Sequence, residues 1–345
     1  MKPLRILLLG FGHVARRLTA ILGPERQHYP KLNPFDCLFI AVLTRHHGHV
    51  IDEGGIDLSG VLSTDPAKNP MYRAEARATQ PNVADLIDSL DYDVLVDLTT
   101  LSIEEKGQPA LGFIRQALQR GKHVVTANKG PAAFAGKELL ALARQNNCQF
   151  LCESAVMDGA PLINMAGACL KGTRITAFSG ILNATTNFVL SQMEQGVSMN
   201  EAIQAAREKG IAEADPRFDL EGWDAAAKIA VLTNLLMENS ITPLEVKRDS
   251  IAALDPQVIE AARKENKTLK LVCSSLLQND RIEACVTLQA LPRQHPFAAV
   301  TGSASIIRLE TDLMGPLLIT QEAPTLSDTA YGVLNDLMTI AGGIQ

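Results

Sequence analysis

Aromatic residues are scarce. Phe, Trp and Tyr together make up 4% of the chain, with a single Trp, so no stacking platform for single-stranded nucleic acid stands out. There is no long basic run, and the formal net charge is -6. Neither nucleic acid nor an anionic membrane surface is therefore an expected partner. None of the six cysteines (Cys37, Cys148, Cys152, Cys169, Cys273, Cys285) forms a C-x-x-C pair, which removes zinc ribbons and thioredoxin-type sites. In a chain of 345 residues they read as buried thiols in a reducing, cytoplasmic compartment. The apolar run within Met1–Gly10 is too short to span a bilayer and lacks a small-residue cleavage site. It reads instead as a buried strand. No low-complexity tract or internal repeat is present.

What the chain does have is alternation. Continuous apolar runs at Leu4–Leu9, Asp36–Leu43, Asp93–Leu98 and His123–Ala127 are separated by helical patterns. One carries Val14, Leu18, Ile21 and Leu22 on one face, and others span Gly112–Gln119 and Ala132–Gln145. This pattern predicts a parallel sheet covered on both faces. Arg45–Pro81 is less regular and reads as loops around one or two short helices. After about Phe150 the pattern changes. A strand is expected over Arg174–Leu182. Ser198 with Glu201 forms a capping box that opens a helix, and Gly210 closes it. A long helix follows over Gly222–Met237, then strands over Thr268–Leu277, Ile282–Leu291 and Ser303–Glu310. These predict an open α+β sheet in a second domain. A last helix, Thr325–Ile340, is expected to return to the first domain. The expected division is 1–152 with the C-terminal helix 325–345, and 153–324.

Gly10-Phe11-Gly12-His13-Val14-Ala15 fits G-x-G-x-x-(G/A) between a strand and a helix. Gly10 allows the tight turn, Gly12 lets the backbone approach a pyrophosphate, and Ala15 lets the helix pack close to the sheet. The helix N-terminus attracts the anion. Gly10, Gly12, His13 and Val14 are thus candidate cofactor-binding residues. The second run ends at Thr44-Arg45-His46-His47, without the acidic residue that usually holds the ribose 2′-hydroxyl of NAD. Arg45 suits a 2′-phosphate, and equally suits a solvated loop. NADP is expected over NAD, with NAD possible. Thr99, Thr100 and Lys129 follow the third and fourth runs, at the carboxyl ends of parallel strands, where ligands bind. A lysine in that place also fits an ordinary surface loop.

The segment Gly210–Lys228 holds five carboxylates (Glu213, Asp215, Asp219, Glu221, Asp224) ahead of a lysine, Lys228. Asp224 and Lys228 are four apart and share one helix face. Asp224 lies in the first turn, where the dipole favours an anion. Burial lowers a lysine pKa and a nearby aspartate raises it, and opposed effects of this kind leave an amine able to exchange a proton. The spacing alone also fits a surface ion pair worth ~0.3–0.5 kcal/mol.

At this point the residues resemble one family. The motifs Gly10-Phe11-Gly12-His13-Val14, Thr126-Ala127-Asn128-Lys129, Asn183-Ala184-Thr185-Thr186-Asn187 and Glu213 to Lys228 occur in the order found in homoserine dehydrogenases. The resemblance runs over nearly the whole chain and is strongest from Ser179 to Lys228. It implies an α/β fold, a Rossmann-type doubly wound parallel sheet plus an α+β substrate and dimerisation domain with an open mixed sheet, in a homodimer. It implies a short form lacking a regulatory ACT domain. The implied activity is NAD(P)-dependent interconversion of L-aspartate 4-semialdehyde and L-homoserine, a step of threonine and methionine biosynthesis. By the same resemblance Lys228 is the catalytic lysine, Lys129 a second active-site lysine near the nicotinamide, and Asp224 a catalytic partner. Glu213, Asp219, Asp224 and Thr185 hold the amino acid substrate.

Glu153 to Pro161 resembles the family's junction loop, which binds a monovalent cation. The matched positions are Glu153, Val156, Asp158 and Ala160, and an oxygen-only set suits a hard cation such as sodium. An ordinary strand-to-helix loop fits these residues as well. Three departures stand out. Ala184 replaces the glycine of Gly-Thr-Thr-Asn. Gln321-Glu322-Ala323-Pro324 replaces a glycine-rich turn before the last helix. Ser305 stands where asparagine is usual. Two other functions compete: a related dehydrogenase with altered substrate preference, and a non-catalytic NADP-binding protein. Retention of Lys228, Asp224, Glu213 and Lys129 argues against the second.

Overall fold

A computed structural model describes residues 2–65, 67–72, 81–213 and 215–343. Within the irregular segment expected over Arg45–Pro81, residue 66 and residues 73–80 lie outside the described residues. So do Ala214 and residues 344–345. The chain forms two compact units, 1–161 with 325–345, and 162–324.

The first unit is built on a six-stranded sheet of order β3-β2-β1-β4-β5-β6. Its strands are β1 (Leu4–Leu9), β2 (Cys37–Leu43), β3 (His49–Ile51), β4 (Val94–Asp97), β5 (His123–Thr126) and β6 (Phe150–Leu151). All neighbours pair in parallel except β2 and β3. The apolar runs become strands because both sheet faces are covered, so inward and outward residues are both apolar. The helices beside the sheet are α1 (His13–Leu22), α2 (Leu58–Leu62), α3 (Val83–Ser89), α4 (Ala110–Gln119) and α5 (Lys129–Gln145). The antiparallel β3, inside the segment expected to be loops, was not foreseen. Three residues bounded by Gly48 and Asp52 carry too little alternation to register as a strand.

The second unit carries another six-stranded sheet, of order β12-β11-β7-β9-β10-β8. Its strands are β7 (Ile175–Ile181), β8 (Lys247–Arg248), β9 (Lys267–Gln278), β10 (Arg281–Pro292), β11 (Ser305–Thr311) and β12 (Leu317–Gln321). Pairing is antiparallel throughout except between β8 and β10. The β9–β10 hairpin turns on Asn279 and Asp280, both at positive φ (50° and 59°), which residues of this type tolerate in two-residue turns. The helices are α6 (Leu162–Cys169), α7 (Ala184–Glu194), α8 (Met199–Glu208), α9 (Arg217–Leu220), α10 (Trp223–Leu236) and α11 (Pro256–Lys264). The capping box of Ser198 and Glu201 forms as expected, and Gly210 follows α8 at φ 69°. α7 escaped the sequence pattern because it is buried almost all round, from Thr185 to Ser191, leaving no apolar stripe to detect. Lys270 of β9 is buried, and its ammonium donates to Asn187 Oδ1 at 2.8 Å and to the Val300 carbonyl. This anchors α7 to the sheet. Burial pushes Lys270 down to about 8.

The last helix, α12 (Leu326–Gly343), belongs to the first unit. Ala330, Val333, Leu334, Leu337 and Ile340 join the core of β1 and α1. The loop 153–160 is held on α12 by contacts that include the following. The Glu153 amide donates to Asp336 Oδ2 at 3.0 Å, the Ser154 hydroxyl donates to the Thr329 carbonyl at 2.7 Å, and Gly159 meets Gly332. A Cβ on Gly332 would fall 2.3 Å from Ser154 Oγ and 2.6 Å from Gly159 Cα. Both neighbours are fixed, so Gly332→Ala is expected to destabilise the protein by about 1–3 kcal/mol, seen as a drop of several degrees in melting temperature. An unchanged melting temperature would contradict this packing.

Candidate active site

Gly10 sits at φ 83°, and a Cβ there would lie 2.7 Å from the Leu98 carbonyl oxygen. Glycine is thus required where β1 hands over to α1. Gly12 caps α1, and the space a Cβ would occupy there is open. The open backbone at a helix N-terminus fits an approaching pyrophosphate. Exposed His13 and half-buried Val14 open the helix, and Ala15 is fully buried. Arg45 is exposed on the turn after β2. The Thr44 hydroxyl closes that turn by donating to the Gly48 carbonyl at 2.8 Å and accepting from the His47 amide at 3.0 Å.

Asp97, at the carboxyl end of β4, is fully buried. Its Oδ1 accepts from the Thr99 amide at 3.1 Å and the Thr99 hydroxyl at 2.6 Å. Its Oδ2 accepts from the Thr126 hydroxyl at 3.0 Å. Asn128 donates to Thr99 Oγ1 at 3.1 Å and caps α5 through the Gly130 amide at 2.9 Å. The candidates Thr99, half-buried, and Lys129, the half-buried first residue of α5, are thereby set by one network. Exposed Thr100 lies at its edge. Asp97 and Asn128 were not singled out from the sequence, although a carboxylate inside an apolar run is an informative signal.

In the second unit, Lys228, Asp224, Asp219 and Thr185 come together. Lys228 Nζ lies 2.9 Å from Asp224 Oδ2, and the two side chains are 14% and 11% exposed. The same Nζ donates to the Leu182 carbonyl at 2.7 Å. Asn183 donates to Asp219 Oδ1 at 2.7 Å and to Asp224 Oδ2 at 2.8 Å. Thr185 donates to the Ile211 carbonyl at 3.1 Å, and its hydroxyl also faces Asp219. Burial and the neighbouring Asp224 push Asp219 up to about 6, against Asn183 and Lys228. Gly222 precedes α10 at φ 77°, and a Cβ there would lie 2.9 Å from the Asp249 carbonyl. That turn aims Asp224 inward from the first turn of α10. The pair is enclosed, unlike the surface ion pair that spacing alone allowed.

Glu213 does not join this cluster; it is exposed, on the loop after α8. Asp215 pairs with Arg217, which draws it down to about 2. Leu182 and Asn183 were missed as contributors. Asn183 opens the motif Asn183-Ala184-Thr185-Thr186-Asn187, where the sequence reading gives it no role; it caps α7, accepting from the Thr186 amide at 2.8 Å.

Of the cation candidates, Glu153 is buried, Val156 is buried, Ala160 is buried and Asp158 is half-buried. Met157, Asp158 and Gly159 take successive positive φ values of 53°, 47° and 84°. Among the described residues no group of three or more His, Cys, Asp and Glu side chains is placed to hold a metal ion. Ala323, in place of a turn glycine, keeps a left-handed φ of 43°. Ala184 is half-buried as the first residue of α7. Ser305 Oγ is buried without a hydrogen-bond partner among the described residues. No helix among the described residues is long and apolar enough to cross a membrane.

The family model described as homoserine dehydrogenase matches residues 161–338, and the one described as homoserine dehydrogenase, NAD binding domain, matches residues 10–153. The chain is 34% identical to the NAD(+)-dependent homoserine dehydrogenase of Pseudomonas canavaninivorans, over 99% of this chain and 97% of that one. It superimposes on a homoserine dehydrogenase from Thiobacillus denitrificans with a TM-score of 0.79 at 28% identity, covering 99% of this chain and 73% of that one. A hyperthermophilic archaeal homoserine dehydrogenase in complex with NADPH gives a TM-score of 0.80 at 25% identity, covering 99% and 98%. A Rossmann unit with an open G-x-G turn, joined in one chain to a unit holding a buried lysine–carboxylate cluster, defines a nicotinamide-dependent oxidoreductase. The chain belongs to the homoserine dehydrogenase family, NAD(P)-dependent enzymes acting on the CH–OH group of homoserine.

Asp97 offers a test of the network in the first unit. Burial raises its carboxyl above the ordinary carboxylate range, against the hydrogen bonds from Thr99, Thr126 and Asn128. Its stabilising contribution is therefore complete below the unfolded value of ~3.9 and is lost as pH rises through the raised folded value. Asp97→Asn does not titrate. Its stability relative to wild type is expected to improve as pH rises from ~4 through the raised folded value, read from denaturation midpoints. A difference independent of pH would contradict the assignment.

Proposed function

We propose that this chain interconverts L-aspartate 4-semialdehyde and L-homoserine with Lys228 moving the proton at the substrate oxygen. The observation that carries this reading is the enclosed ammonium of Lys228, held by Asp224 Oδ2 at 2.9 Å and the Leu182 carbonyl at 2.7 Å. The nicotinamide, when bound, supplies or takes up the hydride at the substrate carbon. In the reductive direction the aldehyde oxygen gains negative charge and needs a proton, which charged Lys228 donates. In the oxidative direction neutral Lys228 accepts the hydroxyl proton. Asp224 keeps the amine in one place and stabilises its charged form. The substrate's own ammonium calls for anionic partners, a role assigned to Asp219 and Asp224, with Thr185 beside them, and to exposed Glu213 on the loop after α8. Lys129 is assigned to the cofactor and substrate from the start of α5.

Residues 1–152 with 325–345 are assigned to dinucleotide binding, and 153–324 to substrate binding, catalysis and dimerisation. Gly10, Gly12, His13, Val14, Thr99 and Thr100 line the dinucleotide. NADP is favoured over NAD because exposed Arg45 follows β2 where an acidic residue would select NAD. A homodimer is supported by the exposed Leu313, Met314 and Leu318 around the β11–β12 turn and edge. A cytoplasmic setting is supported by six free cysteines. A monovalent cation such as sodium is assigned to Glu153, Val156, Asp158 and Ala160, supported by a buried carboxylate in a sharply folded loop.

Homoserine and NADP at alkaline pH are expected to yield NADPH, followed by absorbance. Lys228→Ala is expected to lower kcat ~10²–10⁴-fold while NADP binding persists. An active Lys228→Ala enzyme would refute the proton-transfer role. Arg45→Ala is expected to weaken NADP at least about tenfold more than NAD, measured by fluorescence titration. Equal losses for both would refute a 2′-phosphate contact.

A further inference from the structure

We propose that Asn183 is a positioning residue that clamps Asp219 and Asp224 together and thereby sets the pH range in which the Lys228 site works. The proposal rests on the proton-transfer role assigned above to Lys228. Its basis is geometric. One amide nitrogen, Asn183 Nδ2, stands 2.7 Å from Asp219 Oδ1 and 2.8 Å from Asp224 Oδ2. It has two hydrogens, one for each carboxylate. Asn183 Oδ1 is committed to the Thr186 amide at 2.8 Å, so the side chain cannot flip without turning its oxygen onto both carboxylates and losing its cap. The residue before it supplies the carbonyl that receives Lys228 Nζ. Two consecutive residues after β7 therefore touch Asp219, Asp224 and Lys228.

Among the described residues, the titratable groups facing this point include Asp219 of α9, Asp224 and Lys228 of α10, and Cys273 of β9. Cys273 is pushed up to about 12 by burial and stays neutral. Asp219 and Asp224 both face the Lys228 ammonium, and burial, joined by the charge of Asp224, holds Asp219 up at about 6. Asn183 opposes that rise by donating to the charged forms. Without it the carboxylates bind protons more readily, and the distance between them is no longer fixed.

Asn183→Ser separates the two duties of this residue. Serine caps a helix about as well as asparagine but reaches neither carboxylate with a second donor. The measurement is kcat/KM for homoserine oxidation across pH, with NADP affinity and thermal melting alongside. The acidic limb is expected to move up by about one pH unit and kcat to fall about tenfold, with NADP affinity and melting nearly unchanged. Asn183→Asp also keeps the cap and adds a third carboxylate, so its limb is expected to move further up; it carries the test if the serine variant fails to fold. Limbs superimposing on wild type, or a loss uniform at all pH values, overturn the proposal. Lys228→Met is measured in parallel. If it is inactive while the Asn183→Ser limb stays in place, the clamp alone is wrong. If it is active, the proton-transfer reading fails and the clamp with it.

Discussion

An ammonium and two carboxylates removed from water persist only if each finds partners, since an uncompensated buried charge is costly. Here partners are shared. Asp224 Oδ2 accepts from both Lys228 and Asn183, and Lys228 also donates to the Leu182 carbonyl. Satisfying them fixes three pieces of chain at once: the end of β7, the start of α7 and the first turn of α10. Gly222 at φ 77° and the Asn183 cap are the local adjustments that let these pieces meet. Buried Lys270 holds the same helix one turn further on, through Asn187.

The first unit uses the same device for a different end. One buried carboxylate, Asp97, gathers Thr99 and Thr126, and Asn128 extends the set to the cap of α5. Hydrogen bonds to one buried carboxyl group set the direction of each neighbour. They hold the carboxyl ends of β4 and β5 rigid where a parallel sheet presents its ligands. In both units a polar group sacrificed to the interior orients neighbours that face outward to chemistry.

Much of this was legible in the sequence. The runs at Leu4–Leu9, Asp36–Leu43 and His123–Ala127 announced strands because two-sided burial makes most positions apolar. Gly10 and Gly12 announced the dinucleotide turn because only glycine meets its steric demands. Ser198 and Glu201 announced a helix start because the capping box is local. α7 was not legible, since a helix buried on all sides has no period to detect. β3 and β8 were too short to show alternation. The partners of Lys228 were only half legible. Asp224 follows from i,i+4 spacing, whereas the Leu182 carbonyl lies 46 residues away in sequence and is a backbone group that no side-chain pattern marks. Glu213 shows the converse, a carboxylate adjacent in sequence to the cluster and exposed outside it.

The sequence by itself determined local matters: the longer strands and the amphipathic helices, the glycines of the dinucleotide turn, the Ser198 cap, and that Asp224 and Lys228 share a helix face. These depend on steric limits and spacings within a few residues. Tertiary structure decided which of five nearby carboxylates is buried with the lysine, that Asn183 bridges two of them, and that Asp97 organises strand ends. The reason is physical: a buried charge is defined by what closes over it, and the groups that close over these come from strands and helices far apart along the chain.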